Sequence, residues 1–197
     1  MNIRAPAILC AVRAHGETAA IARLMTADHG LIAGYVAGGR GRRLRPVLIP
    51  GNRVAAEIRA RSESQLPFAR LELIESRGPW LTEPLPAAGI AWSTALTASA
   101  LPERQAFPAL HDALDGVLAA ICAAPSARRW VGALLDYETL LLRELGYGAP
   151  EPVTQGRFAR FDALGRALSR HVLADWQSDV MAARTMLRER LARIITE

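Results

Sequence analysis

Apolar residues in this 197-residue chain change their period once, and the change falls at a proline-rich stretch, Gly78 to Pro86, with Pro79, Pro84 and Pro86. Before that stretch the apolar positions alternate; after it they recur at helical spacing. A period of two sends alternate side chains to opposite faces of a strand, whereas a period near 3.6 gathers them on one side of a helix. A chain that makes this switch once, at residues that break regular structure, is built from a β part followed by an α part. The expected fold class is α+β, with a β domain over residues 1–78 and an all-α helical domain over residues 79–197.

Five strands are predicted in the first part. Ala7–Arg13 carries Ile8, Cys10 and Val12 on one face, and Leu31–Ala37 lies between Gly30 and Gly38-Gly39. The alanines of Thr18–Met25 suit strand or helix, and its short-linked neighbours favour strand. Asn52–Arg61 sets Val54, Ala56, Ile58 and Ala60 on one face, with Arg53, Ala55, Glu57, Arg59 and Arg61 on the other. Phe68–Glu75 is the fifth, with Leu71 and Leu73 facing the same way. Five short strands with glycine-rich turns suit a small closed barrel of the OB type.

Helices are expected beyond Pro86. One spans Ile90–Ala100. A second starts at Pro108, with Leu110, Leu114, Val117, Leu118 and Ile121 on one face. A third carries Trp130, Leu134, Tyr137, Leu141 and Leu145 and stops at Gly146. After a loop with Pro150 and Pro152, Phe161, Leu164 and Leu168 mark a fourth. Ser178 is placed to cap a fifth, with Leu187, Leu191, Ile194 and Ile195.

Charge narrows the function. The chain has no lysine, and all 24 basic residues are arginine, a side chain suited to bidentate phosphate contacts and to stacking on bases. Residues 1–80 hold twelve arginines against six acids, whereas residues 81–197 hold twelve against thirteen. The basic excess therefore belongs to the β domain and points to an anionic partner there. Its densest part is Gly38–Pro46, where Arg40, Arg42, Arg43 and Arg45 sit on a connection that the glycines make flexible. With Arg53, Arg59 and Arg61 on one strand face, and Arg13 on the first strand, these are the candidate nucleic-acid contacts. None of the four tryptophans precedes Gly78, and the β domain offers only Tyr35 and Phe68. Stacking needs several exposed rings, so binding is expected to be driven by the backbone, independent of sequence and sensitive to salt.

Other chemistry finds little support. Gly34 to Gly41 mimics a phosphate loop but has arginine in place of lysine and no following Ser or Thr. His15-Gly16-Glu17 is not a zinc-protease motif, and His171, Asp175 and Asp179 read as a solvated helix face. Asp112 and Asp115 read as compensation of a helix N-terminus. Cys10 and Cys122, each in an apolar stretch and without a CxxC partner, read as buried small hydrophobes. No metal, no cofactor and no catalytic residues are expected, and the chain is not read as an enzyme. The apolar runs are shorter than the roughly 20 residues of a membrane span, and the start lacks the pattern of a secretory signal, so a soluble intracellular, cytoplasmic protein with no membrane partner is expected.

The order of short motifs resembles the RecO family of recombination mediators. The run is Val12-Arg13-Ala14-His15-Gly16-Glu17-Thr18, Leu24-Met25-Thr26-Ala27-Asp28-His29-Gly30, Gly34-Tyr35-Val36-Ala37-Gly38-Gly39-Arg40 and Leu44-Arg45-Pro46-Val47-Leu48-Ile49-Pro50-Gly51-Asn52, then Tyr137-Glu138 and Leu145-Gly146-Tyr147-Gly148. The resemblance implies an N-terminal OB fold, a helical domain, and binding of single- and double-stranded DNA. It further implies strand annealing and, with RecR, loading of RecA onto DNA coated by single-stranded DNA-binding protein (SSB), whose acidic, Phe-ending C-terminal tail docks on the helical part. For that tail the candidates are Arg128, Arg129 and Trp130. Many members carry a cysteine cluster after the Leu-Gly-Tyr-Gly stretch; this chain reads Ala149 to Gly156 there, so the zinc-finger subdomain is expected to be absent. The competing expectation is an RNA-binding OB module, which would prefer RNA to DNA and ignore the SSB tail.

Overall fold

The alternating segments form five strands, β1 (Asn2–His15), β2 (Ala19–Thr26), β3 (Gly30–Val36), β4 (Arg53–Arg59) and β5 (Phe68–Glu75). The computed structural model describes residues 1–60, 62, 65–148, 156–174 and 179–195. Two compact units divide the chain: Met1–Thr82 with Leu101–His111, and Glu83–Ala100 with Asp112–Glu197.

The strands close in the order β1-β2-β3-β5-β4. Four of the five junctions are antiparallel ladders; the fifth, β3 to β5, is parallel and rests on the single pair Tyr35–Phe68. The barrel is thus complete but thinly sealed at that seam. Gly34 makes the seam possible, because a Cβ there would lie 2.6 Å from the Cβ of Ala69. Inside are Ile3, Leu9, Leu24, Ile32, Val54, Ile58 and Leu71 with smaller alanines between them.

β4 alternates as its sequence predicts, with Val54, Ala56 and Ile58 buried and Ala55 and Arg59 exposed. β1 does not keep the single face read for Ile8, Cys10 and Val12. Its pairing with β2 shifts between Leu9 and Ala11, which puts Cys10 in a bulge. Ile3, Ala7 and Leu9 therefore point inward and Val12 joins them only after the bulge, while Ile8 and Cys10 are buried outside this cluster. Burial pushes the Cys10 thiol up to about 12, so it stays a protonated, inert hydrophobe. Cys122, by contrast, is only half-buried. On β5, Leu71 faces the core but Leu73 is 41% exposed, at the last regular pair before a second register shift at Arg53–Val54.

After a 3-10 turn (Gly78–Thr82) come α1 (Pro84–Ala100), α2 (Pro108–Ala123), α3 (Ala127–Glu144), α4 (Gly156–His171) and α5 (Asp179–Ile195). α1 begins at Pro84, a turn and a half before the expected Ile90, because proline is well tolerated where the first N–H groups have no helical acceptor. α3 ends as expected: Gly146 takes φ +84°, and the N–H of Tyr147 reaches the carbonyl of Leu142 at 2.9 Å.

Within the helical unit the apolar faces of the sequence meet in a core that includes Trp92, Trp130, Leu134 and Tyr137. One buried ion pair crosses it. Arg184 of α5 donates to both oxygens of Glu138 of α3, at 3.2 and 2.8 Å, and to the carbonyl of Phe161 at 2.7 Å. The indole N–H of Trp92 completes the set by donating to Glu138 at 2.7 Å. The expected Ser178 cap, the Ile194 and Ile195 side chains, and the Asp175 and Asp179 carboxylates lie outside the described residues, as does the 149–155 stretch where a zinc finger would stand. Among the described residues no group of His, Cys, Asp and Glu is placed to hold a metal, and no helix is long and apolar enough to cross a membrane.

Candidate nucleic-acid interface

The arginine-rich connection between β3 and β4 is not a free glycine linker. It winds as consecutive turns, with the N–H of Gly41 on the Gly38 carbonyl at 2.9 Å and the N–H groups of Leu44 and Arg45 on the Gly41 carbonyl at 3.2 Å. Leu44, Val47 and Leu48 pack against the barrel core and act as its anchors. Asn52, fully buried, donates to the carbonyls of Pro46 (2.9 Å) and Val47 (3.0 Å) and accepts the N–H of Arg77 at 2.7 Å. Gly39 lets the turn press onto β2, because a Cβ there would meet that of Ala20 at 2.8 Å. The flexibility expected of the glycines is thus offset by a leucine anchor and one buried amide, neither of which a count of glycines can show.

This ordered turn holds four guanidinium groups in different states. Arg40 is committed to the barrel: its backbone N–H donates to the Thr18 carbonyl and its Nη1 to the Gly16 carbonyl at 3.0 Å. Arg42, Arg43 and Arg45 are exposed and form no ion pair among the described residues. Clustered like charges of this kind are costly in the free protein and favourable beside a polyanion.

On the strand face the predicted cations are present but partly neutralised. Arg59 pairs with Glu57, and Arg4, which the sequence reading missed, shares the same carboxylate at 2.7 Å. Those two hydrogen bonds, Arg4 first, hold the Glu57 carboxyl below its ordinary range. Arg53 lies 3.8 Å from Glu75, and Arg70 lies 3.2 Å from Glu72. Arg61 falls outside the described residues. The face read as three open guanidinium groups is therefore a ladder of mixed charge, because cross-strand pairing sets Glu57 opposite Arg4 and Arg70.

The ladder also assembles a row that strand-by-strand reading cannot see. Register pairs Arg13 with Ile21, Ile21 with Tyr35, Tyr35 with Phe68, and Phe68 with Arg59. Directly paired residues share a face, so these five stand side by side on the outside of the barrel. Rings touch along it: His15 and Tyr35 meet edge to face at 5.8 Å between centroids, and Tyr35 and Phe68 do so at 5.3 Å. Two aromatic residues that looked isolated thus become a trio with His15. Arg40, bonded to Gly16, ties the basic turn to the residue next to His15.

The three tail candidates differ in exposure. Arg128 and Arg129 are exposed in the first turn of α3, but Trp130 is 1% exposed and packs in the core, where the helical period that marked it also belongs. An apolar crevice beside a cation lies one turn away, closed to a volume of about 10 Å³, too small for anything beyond a single water molecule. It is lined by Val131, Leu135, Phe158, Phe161 and Leu191 beside Arg157, whose Nη1 donates to the Arg128 carbonyl at 2.8 Å.

A small barrel with a basic turn and an arginine-flanked ring row, followed by a helical bundle, defines the class as an OB-type β domain joined to an all-α domain. Comparison with known families narrows it. Residues 1–77 match the model described as "Recombination protein O N terminal", and residues 84–150 match "Recombination protein O C terminal". The chain is 35% identical over 189 residues to the DNA repair protein RecO of Phenylobacterium zucineum, covering 92% of this chain and 76% of that protein. It is 45% identical over 143 residues to that of Rhodospirillum centenum, covering 72% and 56%. It is 38% identical over 183 residues to that of Jannaschia sp., covering 89% and 73%. The chain belongs to the RecO family.

Proposed function

We propose that this chain is a non-catalytic DNA-binding mediator of recombinational repair, which anneals complementary strands and, with RecR, loads RecA onto SSB-coated single-stranded DNA. The observation that carries the reading is the ordered turn that presents Arg42, Arg43 and Arg45 to solvent without a carboxylate partner among the described residues. Arg13, Arg40, Arg53 and Arg59 extend that surface along the barrel. Two strands held on one basic surface have their mutual repulsion screened and their local concentration raised, so pairing is accelerated with no bond made or broken. The SSB tail would place its terminal Phe in the slot beside Arg157, with its acids on Arg157 and the neighbouring Arg128 and Arg129. Half-buried Phe158 would swing out to admit it.

Replacement of Arg42, Arg43 and Arg45 by alanine tests the reading. Binding of a labelled single strand is expected to weaken, and the slope of log affinity against log salt to flatten by about 2 if all three touch phosphate, at roughly 0.7 per contact. An unchanged slope would remove the turn from the interface. An RNA strand of the same sequence, included in the titration, should bind no more tightly than DNA; a clear preference for RNA would favour an RNA-binding module instead.

A further inference from the structure

We infer that Phe68 is a stacking platform for an unpaired base, and that it gives the barrel a preference for single-stranded over duplex DNA that charge alone cannot supply. The inference rests on the reading of the barrel as a DNA surface and goes beyond it, because phosphate contacts by themselves do not distinguish a base that is free from one that is paired.

Phe68 is 65% exposed, an unusual state for the largest apolar side chain of a strand. It is nonetheless held in place. Its ring packs edge to face on Tyr35 at an interplanar angle of 76°, and Tyr35 is braced in turn by His15 at 87°. The contact fixes the ring on one side, and at this exposure most of the Phe68 side chain still meets solvent. Across the β4–β5 ladder its direct partner is Arg59, about 5 Å away strand to strand. Beside it lies a groove of about 1080 Å³ lined by Asn2, Arg59, Gln65, Leu66 and Phe68, among others. That is well above the roughly 300 Å³ at which clefts begin to hold small organic ligands. The groove thus combines an aromatic wall, amide side chains able to meet the polar edge of a base, and a cation for its phosphate.

The occupant follows from this chemistry. A base within a duplex has both faces covered by its neighbours, so only an unpaired base can lie on Phe68. Stacking on an aromatic side chain is tolerant of base identity, because every base has a π-face. Arg59 and the nearby basic turn select a polyanion over an apolar peptide.

The test compares the full chain with F68A and F68W on three probes of equal length: a single strand, the duplex, and a strand of abasic residues that keeps the phosphates but lacks the bases. For F68A, single-strand affinity is expected to fall by about thirtyfold, the middle of the range for loss of one stacked base, while duplex and abasic affinities change by less than about twofold. F68W should restore single-strand binding. The salt slope should stay as in the parent chain, since no cation is removed. A single-strand affinity unchanged in F68A, or an equal loss on all three probes, overturns the inference while leaving the arginine turn standing. A change in sedimentation without a change in DNA binding would instead make the patch a contact between copies of this chain. Failure of the parent chain to bind any probe would overturn both readings together.

Discussion

Arg4 and Arg59 reach the same carboxylate, so Glu57 sets how much of the positive charge on the β1–β4 face is available to a ligand. Its depressed pKa means that it stays ionised below the ordinary carboxylate range, and the neutralising contact persists throughout neutral and mildly acidic pH. E57Q removes the charge at nearly constant volume and releases both guanidinium groups. Single-strand affinity should rise, and the salt slope should steepen by about 0.7 for each additional phosphate that the released cations touch, in the same titration that reads the arginine turn. An unchanged slope would place this face outside the interface. The cations Arg40, Arg42, Arg43 and Arg45 were visible in the sequence because they are adjacent in it. The role of Glu57 was not, because its partner Arg4 is 53 residues away and only the ladder register joins them.

Between helices the same side chain has another use. Arg184 joins α5 to Glu138 of α3 and to the Phe161 carbonyl of α4, inside a core that excludes water. Its guanidinium also lies over the Phe161 ring at 3.8 Å. Removing one partner leaves a buried, uncompensated charge, whereas removing both leaves a cavity and some lost packing. R184M should therefore lower unfolding free energy by about 3–5 kcal/mol in chemical denaturation, and E138L/R184M by distinctly less. Additive losses would show that the two residues act independently. The helices themselves were legible from the spacing of Leu110, Leu134, Leu164 and Leu187, all buried as expected. The bulge at Cys10 was not, since it depends on which residues of β2 pair with β1 and not on the alternation within β1. Trp130 shows the converse limit: a residue next to two exposed arginines on a helix lies about 100° around the axis from its neighbour, and so faces the core.

Across the molecule, arginine divides its work by location. In the helical unit, Arg157 and Arg190 donate to backbone carbonyls, Arg160 and Arg188 to aspartates, and Arg184 to Glu138. These guanidinium groups hold helices to one another. In the barrel unit, Arg42, Arg43 and Arg45 form no ion pair among the described residues and stand on a turn held by Leu44 and Asn52. The difference of charge between residues 1–80 and 81–197 puts the basic excess in the first part of the chain, and a near-zero sum in the second is what internal pairing produces. It could not separate cations that bind from cations that brace. The central claim is that the exposed ones bring two strands together without chemistry. Annealing of complementary labelled strands coated with SSB measures this directly, with the parent chain, with the Arg42/Arg43/Arg45 alanine variant, and with full-length and tail-deleted SSB. The account predicts acceleration by the parent chain that is lost in the variant and reduced when the SSB tail is deleted. Acceleration that survives loss of all three arginines, or none at all from a chain that still binds DNA, would contradict it.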